Sequence, residues 1–163
     1  MSVNKHRPHV YVIPEDRRNA QIANGFAQHP RVNGQIRVMR EAGGWRRVFD
    51  TFQEEYLPLL HQNANTHVVL LIDFDGSPED RRERSNADIP DGVRPRVFVI
   101  GPRDTPETLR QSLGRGYEDI GRALANECDG QNLDAWTHEQ LQHNEHERIR
   151  LVNSVRPFLF SDC

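Results

Sequence analysis

The segment HVVLLI, residues 67–72, constrains the fold more than any other part of the chain. It is almost entirely apolar, it has the length of a strand, and it stops abruptly at Asp73-Phe74-Asp75-Gly76. An apolar run without alternation is typical of a central parallel strand that is buried on both faces. Such a strand needs helices above and below it, so the run predicts an α/β fold.

Three more segments have the composition of strands, namely HVYVI (9–13), QIRVM (35–39) and RVFVI (96–100). Residues between them have helical patterns. The clearest helix covers about 45–60, where apolar side chains recur at spacings of three and four. Strands that alternate with helices imply right-handed crossovers. We therefore expect a mostly parallel four-stranded sheet flanked by helices.

Helices also dominate the C-terminal part of the sequence. Thr105-Pro106 has the pattern of an N-cap followed by proline at the first helical position. Thr137 and Gln140 match a capping box, which predicts a last helix at about 138–156. Pro157 is expected to end that helix, because proline cannot donate the backbone hydrogen bond.

Length and composition predict one soluble domain. The chain has 163 residues, of which 36% are hydrophobic and 28% charged. We expect a single domain over 1–163, with an α/β core at about 9–113 and a helical part at about 114–163. No apolar run reaches the roughly 20 residues of a membrane span, and the N-terminus lacks a secretory pattern. Only two cysteines are present, which favours a cytoplasmic location without a disulfide framework.

The basic residues are unusual in kind. Lys5 is the only lysine among 21 basic residues, and the net charge is −3. A P-loop requires a lysine in GxxxxGK[ST], so that class of nucleotide-binding protein is excluded. Arginine is suited to phosphate because its planar fork donates two hydrogen bonds at once, although a compositional bias explains the same count.

Acidic residues follow three of the four predicted strands. Glu15 comes after the first, Asp73 and Asp75 after the third, and a loop leads from the fourth to Glu107. The carboxyl ends of parallel strands meet at one edge of the sheet, so these carboxylates are expected to converge. Several carboxylates close together repel one another unless a cation is bound. Hard oxygen ligands favour Mg²⁺ or Mn²⁺, so these four residues are the candidate metal ligands.

Arginines adjoin the same acidic residues in the sequence and are candidate contacts for substrate phosphates. The alternative for each is an ordinary solvated surface arginine. The residues concerned are Arg17, Arg18, Arg81, Arg82 and Arg103.

A glutamate directly after the first strand and an Asp-x-Asp after the third resemble the Toprim domain. The matching residues are VIPE, ending at Glu15, and LLIDFD, which contains Asp73 and Asp75. The resemblance covers about 9–113 and is closest to stand-alone and OLD-nuclease-like members. It implies acid–base chemistry or metal binding for the glutamate and Mg²⁺ binding for the two aspartates. The chain departs from the family at Asp16, where a glycine is usual.

The resemblance implies metal-dependent hydrolysis of nucleic-acid phosphodiesters, with Glu15, Asp73 and Asp75 as catalytic residues. Bacterial defence or DNA processing are the settings that the family suggests. Two alternatives remain open. One is a non-catalytic subunit with the same fold that binds a larger ATPase or nuclease, and the other is an α/β domain that acts on a small phosphorylated ligand.

Three histidines near the C-terminus, His138, His143 and His146, raise the question of a zinc site. On a helix, His143 and His146 share a face and His138 does not. Their spacing is not HExxH, and no cysteine pair accompanies them. A polar helix face is the favoured interpretation, and a second polar site that also includes Asn144 is the alternative.

Overall fold

A four-stranded sheet forms the centre of the computed structural model, which describes residues 2–127 and 132–161. All neighbouring strands pair in parallel, in the order β2-β1-β3-β4. The predicted α/β class and the parallel four-stranded sheet are therefore confirmed. The strands are β1 (His9–Pro14), β2 (Ile36–Val38), β3 (Thr66–Leu71) and β4 (Val97–Ile100).

Both faces of the sheet are buried, each in its own core. On β3, Val69 and Leu71 enter one core, whereas Val68 and Leu70 enter the other. Successive side chains of a strand point to opposite faces, so a strand covered on both sides has no polar position to spare. This is the physical reason why residues 67–72 show no alternation.

Helices cover the two faces unequally. One face is covered by α1 (Arg17–Ala27), α5 (Pro106–Leu113), α6 (Tyr117–Asn126) and α7 (Glu145–Leu159). The other is covered by α2 (Trp45–Thr51), which continues through a π-helical turn, Phe52–Tyr56, into α3 (Leu57–Gln62). The remaining helix, α4 (Pro78–Ala87), buries only Ser85.

The strand order creates a crevice between β1 and β3. The chain leaves β1 toward β2 on one side, and it leaves β3 toward β4 on the other. Helix α1 lies on one face of the sheet, whereas the residues after α4, Ile89 and Val93, pack in the core on the opposite face. Such a switch point is where open parallel sheets place their ligand sites.

Helix α1 is held close to α6 by two glycines. A Cβ on Gly25 would lie 1.9 Å from the carbonyl oxygen of Glu118, and one on Gly121 would lie 1.9 Å from that of Ile22. Any side chain at either position would push the helices apart. The close approach fixes α1, which begins beside the carboxyl end of β1.

The outer edge of β4 is closed by side chains instead of a fifth strand. Glu147 accepts a hydrogen bond from the backbone N–H of Val99 at 3.0 Å, and Arg82 donates to the carbonyl of Val99 at 2.8 Å. Asn144 bonds both the N–H and the carbonyl of Gly101, at 3.3 and 2.9 Å. These contacts satisfy backbone groups that would otherwise form an open edge.

The C-terminal helix differs from the prediction at both ends. It starts at Glu145, because 138–141 form a bend and turns and Gln142–Asn144 form a short 3-10 helix. In the turn segment, Gln140 binds Asp104 through its side chain. The predicted capping box at Thr137 and Gln140 is therefore wrong. Pro157 lies inside the helix, which continues to Leu159. Thr137 instead donates its hydroxyl to the carbonyl of Leu133.

Among the described residues, no helix is both long and apolar enough to cross a membrane. Cys128 and Cys163, on which the expectation of a reducing compartment depends, lie outside those residues.

We predict that Glu147→Ala lowers the free energy of unfolding by about 3 kcal/mol or more. The change leaves the N–H of Val99 without its acceptor and removes the ion-pair partner of Arg82 and Arg150. Urea denaturation measures the loss. Glu145→Ala is the matched control, because Glu145 lies two residues earlier and is exposed, and its loss should cost less than about 1 kcal/mol. Equal losses in the two variants would contradict this role of Glu147.

Candidate metal centre

Backbone hydrogen bonds fix Glu15 at the end of β1. Its N–H donates to the carbonyl of Leu71 at 2.9 Å, so the pairing with β3 extends beyond the strand. Its own carbonyl accepts from the N–H groups of Gly43 at 2.9 Å and Gly44 at 3.2 Å. The side chain, 8% exposed, is thereby held at the crevice between β1 and β3.

Asp73 reaches the same crevice from β3. Beyond that strand, Ile72 and Phe74 donate their N–H groups to the carbonyls of Ile100 and Pro102, on the β4 side. The N–H of Asp73, between them, donates instead to Oε2 of Glu15 at 3.3 Å. Asp73 is only 7% exposed, so the two carboxylates meet in a largely dry setting.

Asp16 completes a group of three acids. One carboxylate oxygen each from Glu15, Asp16 and Asp73 lie within 4.8 Å of one another. Asp16 is also the N-cap of α1, since its Oδ1 accepts from the N–H of Asn19 at 2.8 Å. We call these three residues the acidic triad.

Asn19 connects two members of the triad. Its Nδ2 donates to Oδ1 of Asp73 at 2.7 Å, and its side chain is fully buried. Its Oδ1 has no hydrogen-bond partner among the described residues. A buried oxygen without a partner is costly, and a bound cation or its water would satisfy it.

Burial and mutual repulsion disturb the protonation of the triad. Desolvation, the hydrogen bond to Asp73 and the charges of Asp73 and Asp75 raise the pKa of Glu15 to about 8. Desolvation first, and then the charges of Asp16 and Asp75, raise the pKa of Asp73 to about 6, against the hydrogen bonds from Asn19 and Glu15. At neutral pH the pair therefore shares one proton.

Within the part of the chain that the structure describes, no arginine, lysine or histidine forms an ion pair with the triad. Its donors are hard carboxylate oxygens, the ligand type that Mg²⁺ and Mn²⁺ take. The residues present therefore fit such a cation, which would displace the shared proton and neutralise the repulsion.

Asp75 lies beside the triad and not in it. Its backbone is left-handed, with φ of 48°, and the following Gly76 has φ of 78°. This turn directs the carboxylate outward, where it is half-exposed and pairs with Arg81 at 3.0 Å. The triad thus contains Asp16 where the sequence predicted Asp75, because Asp75 lies in the turn after the strand and not in extended chain. Its charge still raises the pKa of both Glu15 and Asp73.

Glu107 also lies outside the triad. It forms an ion pair with Arg18 at 2.8 Å, and both side chains are about half-exposed. The structure therefore gives Glu107 a partner at the start of α5 instead of a place among the clustered oxygens. Its position in the first turn of the helix also suits the helix dipole.

The arginines named from the sequence have different surroundings. Arg17 and Arg103 are exposed. Arg81 lies near the site, since it binds Asp75 and also donates to the carbonyl of Asp73 at 3.3 Å. Arg82 lies elsewhere, because its guanidinium bonds the edge of β4 and stacks 4.8 Å from the ring of Phe74. The prediction of a phosphate contact therefore does not suit Arg82, whose donors serve the fold.

The three histidines do not form a site together. His138 accepts from the N–H of Gln140 through its ring, and His146 is almost fully exposed. His143 packs edge-to-face on Phe74 at 4.8 Å. Burial and the charge of Arg82 lower the pKa of His143 to about 4, so its ring is neutral at pH 7. A zinc site at these histidines gains no support, since the triad is the one candidate metal-binding group among the described residues.

Two residues of the centre carried only faint sequence signals. Asp16 stands beside Glu15 at a position where the Toprim pattern has glycine, so the motif itself gives Asp16 no role in metal binding. Asn19 was missed, although it lies three residues after the capping Asp16 and on the apolar side of α1, where a polar residue needs a partner.

Comparisons of the chain with protein-family models, with curated proteins and with solved structures find no match. The Toprim relationship therefore stays a prediction from the residues.

We predict that the metal-free protein loses stability as the pH rises from about 4.5 to about 8, because folded Glu15 holds its proton more tightly than unfolded Glu15 does. Glu15→Gln removes this loss and should raise Tm at pH 8 by roughly 3 °C or more. Differential scanning fluorimetry with chelator at several pH values measures it. The exposed Glu54→Gln is the control, and a Glu15→Gln curve parallel to it would refute the prediction.

We also predict that Asn19→Ala weakens Mn²⁺ binding by about 10- to 100-fold, because Asp73 loses the donor that orients it. Calorimetric titration with Mn²⁺ gives the affinity. Asn24→Ala is the matched control on the same helix, where the side chain is exposed. Unchanged affinity in Asn19→Ala, with the fold intact by circular dichroism, would exclude this role.

Proposed function

We propose that the protein hydrolyses nucleic-acid phosphodiester bonds with the help of Mg²⁺ or Mn²⁺ at the acidic triad. The observation that carries the proposal is the convergence of Glu15, Asp16 and Asp73 at the switch point between β1 and β3. The resemblance of VIPE and LLIDFD to the Toprim motifs supports the same chemistry.

The triad would hold the cation through one oxygen from each residue. A bound divalent cation polarises the phosphate and lowers the pKa of a coordinated water. A bound cation would displace the proton that Glu15 shares with Asp73. The Glu15 oxygen that does not hold the cation could then accept a proton from a water. Asn19 keeps Asp73 oriented, and Arg81 holds Asp75 at the edge of the site.

Exposed arginines around the triad support a polyanionic substrate. The side chains of Arg17, Arg40, Arg47 and Arg103 make no hydrogen bond or ion pair with the residues that the structure describes. They follow β1, β2 and β4, so they border the carboxyl edge of the sheet on both sides of the crevice. Three strand spacings amount to about 14 Å, a width that exceeds a single phosphate. Free guanidinium groups over that distance suit consecutive backbone phosphates.

The test is cleavage of labelled single-stranded DNA, double-stranded DNA and RNA in Mg²⁺ or Mn²⁺. We expect Asp73→Asn to lower the rate by about 100-fold or more, because it removes charge from the ligand set. Asp75→Asn should lower it less, since Asp75 lies outside the triad.

Asp80→Asn is the control, because that carboxylate is exposed and pairs with Arg84. Cleavage that persists in Asp73→Asn at the wild-type rate would refute the proposal, and so would the absence of cleavage of all three substrates by a wild-type protein that binds Mn²⁺.

A further inference from the structure

A cleft of about 600 Å³ lies on another part of the surface, between α4 and the 3-10 turn Gln142–Asn144. None of its lining residues belongs to the acidic triad. They are Pro78, Glu79, Arg82, Glu83, Asn86 and His143. The volume is within the range of ordinary ligand sites, so the cleft can hold one or two side chains of a partner.

The cleft exists because α4 has no apolar face. Its sequence, PEDRRERSNA, buries only Ser85. The helix is attached by polar contacts: Arg81 binds Asp75, Arg82 binds the carbonyl of Val99, and Arg94 binds the carbonyl of Asn86. A helix that is polar all round packs poorly, so one flank of α4 stands away from the turn.

The interior of the cleft is more apolar than its composition suggests. The imidazole of His143 is neutral, and both of its nitrogens are shielded from solvent, so the ring offers carbon atoms. Pro78 adds its ring. Arg82 offers mainly its stem, because its guanidinium is engaged with Val99, Asn144 and Phe74. These surfaces suit an aliphatic stem.

Two carboxylates on the lining have no partner. Glu79 and Glu83 are exposed and make no hydrogen bond or ion pair with any residue in the described ranges. They are one helical turn apart, so their Cβ atoms lie about 6 Å from each other. The neighbouring Asp80, by contrast, is paired with Arg84 at 3.2 Å. The one cation of the lining, Arg82, has Glu147 at 3.8 Å, a carboxylate that it shares with Arg150. The lining therefore presents unpaired negative charge beside an apolar interior.

We propose that this cleft docks a basic side chain, arginine or lysine, from a partner protein. The apolar interior packs on the stem, and the two carboxylates bind the charged head group. This contact lies outside the metal centre, so it does not depend on the proposed hydrolysis. It also gives α4 the packing that its own sequence lacks.

The test is a titration of the ¹⁵N-labelled full chain with the peptide acetyl-Ala-Arg-Ala-Arg-Ala-amide, followed by NMR. We expect chemical-shift changes at the cleft residues, and at least about tenfold weaker binding for Glu79→Gln/Glu83→Gln. The same peptide with citrulline in place of arginine keeps the shape and removes the charge, so it should bind at least about tenfold more weakly.

Asp80→Asn is the control, because it removes one carboxylate from the same helix outside the lining, and it should bind as the wild type does. Equal weakening in Asp80→Asn would show that the peptide responds only to the overall negative charge of α4, and it would overturn the proposal. So would equal binding of the citrulline peptide, shifts confined to the acidic triad, or free arginine that binds as tightly as the peptide.

Discussion

Burial of β1 and β3 on both faces is the constraint on which the rest of the structure depends. Beyond the hydrogen-bonded pair of His9 and Thr66 at their start, and the half-buried His67, these two central strands carry apolar side chains. Other polar side chains can only follow the strands, where the backbone turns toward α1 on one side and toward β4 on the other. The crevice between those two departures is where Glu15 and Asp73 meet, and their contact follows directly from the strand order.

The acidic triad is a local conflict that the fold maintains. Carboxylates that are buried together disfavour each other's ionisation, and no arginine within the described ranges pairs with the carboxylates of the triad. A shared proton relieves it in the metal-free protein, and a divalent cation would do so more completely. The rigid supports of the site, namely the N–H groups of Gly43 and Gly44 and the amide of Asn19, prevent the carboxylates from moving apart.

Side chains from the second half of the chain close the outer edge of the sheet at β4. Asn144 and Glu147 close the edge of β4, so the domain needs no further strand there. Arg82 joins that closure from α4 and so becomes unavailable for phosphate. The same polar attachment leaves α4 with little packing, and the cleft beside it results. Edge closure and cleft formation are therefore two consequences of one arrangement.

The sequence by itself determined the sheet and half of the site. An apolar run such as 67–72 has only one stable environment, and an acid directly after a parallel strand must lie at the carboxyl edge, so Glu15 and Asp73 could be predicted. Tertiary structure decided the rest. The left-handed turn at Asp75 directs its carboxylate to an ion pair with Arg81. The N-cap geometry of α1 places Asp16 and Asn19 beside Asp73. The start of α7 at Glu145 goes with the hydrogen bond from the side chain of Gln140 to Asp104, which holds the preceding residues outside the helix. Each of these outcomes depends on a partner that is distant in sequence or on a single backbone angle, and periodicity carries no information about either.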